Sequence, residues 1–162
     1  MDHKYSFIKL NSGSISYYPI GTFVSSYIEI CKEIATVLDN LYPKGNISIW
    51  CRGSSGAILS ALVVSNMKNN NVNIYHIKKD GEKSHSGINI FDKSRVNVII
   101  DDIISSGTTM QYIYEGIQSA YNYTYGIDDY EIIIDALILC TNINPSNINF
   151  KVNNFIGPDI YR

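Results

Sequence analysis

The chain has 162 residues, of which 45% are hydrophobic and 17% are charged, and its formal net charge is -2. This balance predicts one globular domain over residues 1–162 rather than a disordered chain. The small net charge gives no overall attraction to nucleic acid or anionic lipid, and no apolar run is long enough to span a bilayer, so neither is an expected partner. The three cysteines lack metal-binding spacing and the N-terminus lacks a signal-peptide pattern, so we expect a cytoplasmic protein with reduced thiols.

The hydrophobic pattern predicts alternating helices and strands. Apolar residues at helical spacing begin near residue 25, and Pro43 and Gly45 end that helix. Later elements are strands over residues 47–50, 73–78, 96–101 and 131–140, with helices starting near Ala57 and covering residues 108–121. Strands that are apolar on both faces are typical of a buried parallel sheet. We therefore predict an α/β fold with a mostly parallel central sheet flanked by helices.

Two adjacent acids lie at the end of the predicted strand over residues 96–101: Asp101 is its last residue, and Asp102 follows directly. Carboxylates suit the hydroxyl groups of a sugar or a metal ion, whereas the hydroxyl-rich loop and helix N-terminus that follow suit a phosphate group. The segment therefore predicts a sugar-phosphate site, with an ordinary solvent-exposed strand end as the alternative. The loop residues that carry this prediction are Ser105, Ser106, Gly107, Thr108 and Thr109.

Two further loops are predicted at strand ends. Residues 51–56 contain Arg52, a fixed positive charge, and glycines such as Gly53 that permit unusual backbone angles, although a plain strand-to-helix turn fits them equally well. Residues 79–87 form a polar loop that carries several basic groups, for which a solvent-exposed surface segment is the alternative. Ligands of parallel sheets bind at the carboxyl ends of the strands, so these loops are candidates for the same site.

The segment over residues 98–109 resembles the phosphoribosyl pyrophosphate (PRPP) signature of the type I phosphoribosyltransferase superfamily: four apolar residues, two acids, two apolar residues and a small-residue loop with glycine. This resemblance implies that Asp101 and Asp102 are catalytic residues that bind the ribose hydroxyls, and that residues 105–109 bind the 5′-phosphate. Residues 51–56 resemble the pyrophosphate loop of the same superfamily. That likeness implies a pyrophosphate-binding set of Arg52, Gly53 and Lys79.

Orotate phosphoribosyltransferases are the closest resemblance within the superfamily. Residues 79–87 are similar to their catalytic loop, which implies that Lys83 and His85 are catalytic and that the loop lies near the neighbouring site of a homodimer. The loop departs from the family pattern at Lys79, Asp80 and Ser86.

Residues 8–18 are similar to the N-terminal substrate segment of the orotate enzymes, with a surface hairpin as the alternative. The likeness implies that residues 1–22 form a small hood and that the base-side residues are Asn11, Ser12 and Gly13. Asn11 replaces a lysine of the family, and Thr141 lies in a stretch that lacks the family's arginine for the orotate carboxylate.

The resemblance implies a Mg²⁺-dependent phosphoribosyltransferase that transfers ribose 5-phosphate from PRPP to a nucleobase. The Mg²⁺ would be held by PRPP, with Asp101 or Asp102 as the protein ligands open to it. Orotate is the leading base, in pyrimidine nucleotide synthesis, because Ser105 stands where the purine branch commonly has an acid. The alternatives are a purine phosphoribosyltransferase of salvage and a regulatory protein that binds PRPP without turnover; the pair Lys83 and His85 favours catalysis.

Overall fold

The computed structural model describes residues 3–12, 27–78, 89–102 and 107–161. Within these residues one sheet of six strands has the order β1-β6-β5-β4-β2-β3, and every pairing between them is parallel. The strands are β1 Ser6–Lys9, β2 Ile47–Arg52, β3 Val72–Ile77, β4 Val96–Asp101, β5 Ile134–Leu139 and β6 Val152–Gly157. The helices are α1 Ile28–Leu41, α2 Gly53–Asn66 and α3 Thr108–Tyr125, with a short 3-10 helix at Pro145–Asn147.

Helices cover both faces of the sheet, because alternate side chains of each central strand point to opposite sides. Val98 and Ile100 of β4 pack in one apolar core with residues of α1 and α2. Ile99, between them, packs in a second core with residues of α3. The predicted α/β fold with a parallel sheet flanked by helices is therefore confirmed.

The direction in which the chain adds strands to the sheet reverses between the neighbouring strands β2 and β4. From β2 the chain continues to β3 on one side, whereas from β4 it continues through β5 to β6 on the other. The connections that leave these two strands therefore diverge, α2 onto one face and α3 onto the other, and open a crevice at the carboxyl edge. A crevice of this kind is where open α/β sheets bind ligands.

Residues 51–56 do not form the predicted loop. Cys51 and Arg52 belong to β2, and α2 begins at Gly53, four residues before the predicted start at Ala57. Gly53 turns the chain directly from strand to helix with a φ of +74°, a conformation that favours glycine. Because this turn needs a single residue, the remaining small residues are free to form the first turn of the helix.

The edge strand β1 and its neighbour β6 were not predicted. Residues 6–9, within the predicted hood, form β1, which pairs with β6 in register from Ser6 with Asn154 to Lys9 with Gly157. Residues 13–22 of the predicted hood lie outside the described residues. Among the residues that the structure describes, no helix has the length and apolar character needed to cross a membrane.

Candidate active site

The two acids lie at the carboxyl end of β4, beside the crevice. Asp101 is the last residue of the strand and is only 5% exposed. It follows the same alternation as Ile99, so its side chain lies on the α3 side of the sheet. Its Oδ1 accepts a hydrogen bond of 2.8 Å from the backbone N–H of Asp102, which fixes the direction of the carboxylate. The strand thus delivers two neighbouring carboxylates in a defined arrangement.

Buried neutral groups lie next to these acids. Burial, together with smaller contributions from the nearby Cys140, Asp102 and Cys31, raises the pKa of Tyr27 to about 12. Burial also raises the pKa of the Cys140 thiol well above its ordinary value, with added contributions from Cys31 and both aspartates. Tyr27 and Cys140 therefore keep their protons at neutral pH.

Arg52 brings a positive charge to the neighbouring strand end. β2 pairs with β4 in register from Ile47 with Val96 to Trp50 with Ile99. Two residues further along both strands, Arg52 is level with Asp101. The guanidinium carbon lies 4.5 Å from the centroid of the Tyr112 ring on α3. Among the residues that the structure describes, its buried Nε has no hydrogen-bond partner and no carboxylate lies within ion-pair distance. Within this part of the chain, nothing neutralises the charge of Arg52.

Two helices start at this same edge, because each follows a strand of the parallel sheet. The first turns of α2 and α3 contain no acidic residue, and neither helix has a side-chain hydrogen bond at its N-cap. The N-cap of α3 is Gly107, which has no side chain to occupy the N–H groups of the first turn. The positive end of a helix dipole, without acidic residues in the first turn, favours anions.

Gly107 is also held by a contact that the sequence did not indicate. A Cβ at this position would lie 2.3 Å from the carbonyl oxygen of Asn147, at the end of the 3-10 helix, and the φ of Gly107 is +81°. Gly107 thus allows a close backbone approach within the protein, to the connection between β5 and β6.

A cavity of about 370 Å³ opens at the start of α3. Thr108 and Tyr112 both line it, since residues four apart lie on one side of a helix. The sequence analysis singled out Thr108 but not Tyr112, although the spacing of four residues on a helix would have placed the two together. The other lining residues are Gly107, Gln111, Glu115, Asn147 and Asn149.

Asn11 and Ser12, predicted on the base side, are bound to Glu33 of α1. The backbone N–H groups of both residues donate to the Glu33 carboxylate, at 2.9 Å for Ser12, and the Ser12 hydroxyl donates at 2.8 Å. Burial raises the pKa of Glu33, but these hydrogen bonds outweigh burial and hold the pKa below its ordinary value. β1 is three strands from β4, or about 14 Å at the usual strand spacing. Asn11 and Ser12 thus lie at the same edge as Asp101 but apart from it.

The structure brings together about half of the predicted site. Around the crevice lie Arg52, Gly53, Asp101, Asp102, Gly107, Thr108 and Thr109. Asn11 and Ser12 lie apart from the crevice, at Glu33. The remaining six predicted residues lie outside the described part of the chain: Gly13, Lys79, Lys83, His85, Ser105 and Ser106. Within the described residues no group of three or more His, Cys, Asp or Glu side chains is gathered as a metal site would require.

Comparisons with known proteins agree with the predicted fold. No protein-family model and no curated protein matches the sequence. Among solved structures, a hypoxanthine-guanine phosphoribosyltransferase from Bacillus anthracis is similar with a TM-score of 0.51 and 16% identity, over 83% of this chain and 76% of that one. A xanthine-guanine-hypoxanthine phosphoribosyltransferase from Helicobacter pylori gives a TM-score of 0.46 and 10% identity, over 96% of this chain and 86% of that one. The similarity to the Bacillus anthracis structure confirms the predicted type I phosphoribosyltransferase fold.

Proposed function

We propose that this chain, which has the fold of the type I phosphoribosyltransferases, transfers ribose 5-phosphate from PRPP to a nucleobase and releases pyrophosphate. The observation that carries the proposal is the meeting of three features at the crevice between β2 and β4. They are the paired carboxylates of Asp101 and Asp102, the N-terminus of α3 and the unneutralised charge of Arg52. These features suit, in that order, sugar hydroxyls, a phosphate group and a pyrophosphate leaving group.

The chemistry is a displacement at the anomeric carbon of the ribose. A ring nitrogen of the base forms the new bond, the bond to the pyrophosphate oxygen breaks with its electron pair, and the proton of the ring nitrogen passes to water. Asp101 and Asp102 accept hydrogen bonds from the ribose hydroxyls, and Thr108 and Thr109 at the start of α3 hold the 5′-phosphate. Arg52 stabilises the negative charge that develops on the departing pyrophosphate.

We expect Mg²⁺ to enter this site as an ion that PRPP itself carries. Phosphate oxygens would then supply most of its ligands, since Mg²⁺ is usually bound by one or two carboxylates together with substrate phosphates. Asp101 and Asp102 are the carboxylates of the crevice that such an ion would meet. When bound, Mg²⁺ neutralises part of the charge of the pyrophosphate group.

We further propose that the base is a purine such as hypoxanthine or guanine, the alternative to orotate in the sequence analysis. Orotate carries a carboxylate, and Asn11, which the orotate resemblance places beside it, donates its N–H to the carboxylate of Glu33 instead. A second carboxylate there would be repelled. Thr141, in the stretch that lacks the family's arginine, is buried at 8% exposure. The name of the Bacillus anthracis structure, a hypoxanthine-guanine enzyme, agrees with the purine proposal.

Pyrophosphate release from PRPP and Mg²⁺ with a panel of bases tests this function. We expect release with hypoxanthine or guanine and little with orotate, adenine or uracil. Release with orotate alone would overturn the purine proposal. If the protein bound PRPP but released no pyrophosphate with any base, the proposed enzymatic activity would be overturned. The alternative of a regulatory protein that binds PRPP without turnover would then remain.

Substitutions test the assigned residues in the same assay. We expect D101N and D102N to weaken PRPP binding, whereas D128N, which removes an exposed carboxylate on the loop after α3, leaves it unchanged. Unchanged affinity in both D101N and D102N would remove the ribose assignment. We expect K83A and H85A to lower the rate of release; rates equal to the wild type would contradict the proposed role of residues 79–87.

A further inference from the structure

Tyr112 occupies a position that core packing does not explain. It lies one turn into α3, it is 48% exposed, and its ring lies under the guanidinium of Arg52. It also lines the cavity at the start of the helix. An aromatic residue that is half in solvent and stacked on one cation has that cation as its main partner.

The Tyr112 ring attracts the positive charge of the Arg52 guanidinium without occupying the N–H donors of that group. A guanidinium has five N–H donors in one plane, and the face of an aromatic ring interacts with the charge of that plane. A carboxylate partner would instead occupy two donors and neutralise the charge. In Arg52 the buried Nε has no hydrogen-bond partner among the described residues, so its N–H is still to be satisfied.

We propose that Tyr112 is a positioning residue that holds the Arg52 guanidinium flat, with its N–H groups turned toward the pyrophosphate group of PRPP. This inference rests on the proposed function. Without the ring, the long arginine side chain would spread over several rotamers, and binding an anion would have to order it again. The ring makes that ordering part of the folded structure. Because Tyr112 lies on α3, it also fixes Arg52 relative to the helix that holds the 5′-phosphate.

Binding of two separate fragments of PRPP distinguishes positioning from a general structural role. Titration calorimetry with inorganic pyrophosphate and Mg²⁺, and separately with ribose 5-phosphate, is carried out on the wild type, Y112L and Y112F. We expect Y112L to weaken pyrophosphate binding about three- to tenfold, the loss of one cation–π contact, and to leave ribose 5-phosphate binding unchanged. Y112F keeps the ring face and is expected to bind both as the wild type does.

A matched control is Y123L, which removes an exposed tyrosine of the same helix, 62% exposed, at its other end. It is expected to bind both fragments as the wild type does. In an R52K background, whose ammonium lacks the flat guanidinium, Y112L is expected to cause little further loss of pyrophosphate binding.

The outcomes separate the inference from the function on which it rests. Pyrophosphate binding by Y112L equal to the wild type, or equal weakening of both fragments, would overturn the positioning role alone. Failure of Y112F to retain the wild-type affinity would also overturn it, because the ring face would then not be what matters. A wild type that binds neither fragment nor PRPP would overturn the proposed function as well.

Discussion

Gly107 and Gly126 have nearly the same backbone angle but different surroundings. Their φ values are +81° and +71°, and both flank α3, Gly107 at its start and Gly126 at its end. A Cβ at Gly107 would lie 2.3 Å from the carbonyl oxygen of Asn147, whereas one at Gly126 would have nothing within 4 Å. Gly107 is therefore required both by its backbone angle and by its neighbour.

We predict that G107A lowers the free energy of unfolding by about 3 kcal/mol, because backbone strain and overlap with a carbonyl act together. The substitution G126A, which introduces the strain alone, is expected to cost about 1 kcal/mol. Urea denaturation of the two variants measures the difference. Equal losses of stability in the two variants would show that the backbone at Asn147 shifts to admit the new Cβ at little cost.

Glu33 makes the attachment of Asn11 and Ser12 dependent on pH. Its pKa in the folded protein is below the ordinary value of 4.5, so the carboxylate stabilises the fold fully above about pH 4.5 and loses this effect as the pH falls through the lowered pKa. We predict that E33Q costs about 1 kcal/mol at pH 7 and progressively less as the pH falls below 4.5.

Urea midpoints at pH 7, 4.5 and 3 for the wild type and E33Q measure this dependence. The matched control is E29Q, since Glu29 is 77% exposed and forms only a surface ion pair with Lys32 at 3.1 Å. Its effect is expected to be close to zero at each pH. A cost of E33Q that persists unchanged at pH 3 would contradict the role of the charged carboxylate.

The acids of the site could be predicted from sequence at the scale of single residues, but Tyr112 and Asn147 could not. Asp101 and Asp102 interrupt a strongly apolar strand, and charge at the end of a buried strand is a local signal. The roles of Tyr112 and Asn147 depend on contacts with Arg52 and Gly107, 60 and 40 residues away in the chain. Such contacts leave no periodic pattern in the sequence.

At the scale of elements, strands β2 to β5 were predictable, whereas β1 and β6 were not. β4 was predicted with its bounds correct and β5 was recognised over residues 131–140, because both are apolar on both faces. β6 has Asn153 and Asn154 in its middle, which hides it in a polar stretch. β1 has only four residues, and its single partner in the described sheet is β6.

Arg95 ties together the amino ends of two strands and the segment before β3. Its guanidinium donates to the Ser48 hydroxyl at 3.2 Å and to the Ile47 carbonyl at 2.8 Å. It also donates to the carbonyl and side-chain oxygens of Asn71, at 3.0 and 3.1 Å. The Arg95 side chain, just before β4, thus hydrogen-bonds to the start of β2 and to the residue before β3.

We predict that R95A lowers the free energy of unfolding by about 2 kcal/mol, because it removes the donor from two partly buried oxygens, those of Ser48 and Ile47. K44A removes the same charge from an exposed side chain and is expected to have little effect. Urea denaturation compares the two, and hydrogen exchange should show faster exchange at Val72–Ile77 in R95A. Similar stability of the two variants would mean that water replaces the lost donors without cost.

At the scale of the whole molecule, the order of the strands decides where the site lies. Since β2 and β4 are neighbours and their connections diverge, Arg52 and Asp101 lie level on neighbouring strands although they are 49 residues apart in the chain. A ligand bound in the crevice would touch β2, β4 and α3 at once. Its binding should therefore stabilise the domain as a unit.

We predict that PRPP with Mg²⁺, at a concentration 100-fold above its dissociation constant, stabilises the wild type by about 2.7 kcal/mol. For a domain of this size the melting temperature should rise by about 5–10 °C. The double variant D101N/D102N should show a much smaller rise at the same concentration, measured by differential scanning calorimetry. An equal rise in both proteins would place PRPP away from the acids.

The pairing of β1 with β6 has a consequence for the order in which the protein is made. β1 leaves the ribosome early, but the strand that supplies its hydrogen bonds follows much later; the side chains of His3 and Asn153, which bond at 3.1 Å, are 150 residues apart. A growing chain can therefore assemble β2 to β5 while its first strand is still unpaired. Closure of the sheet by β1 is thus a late event of biosynthesis.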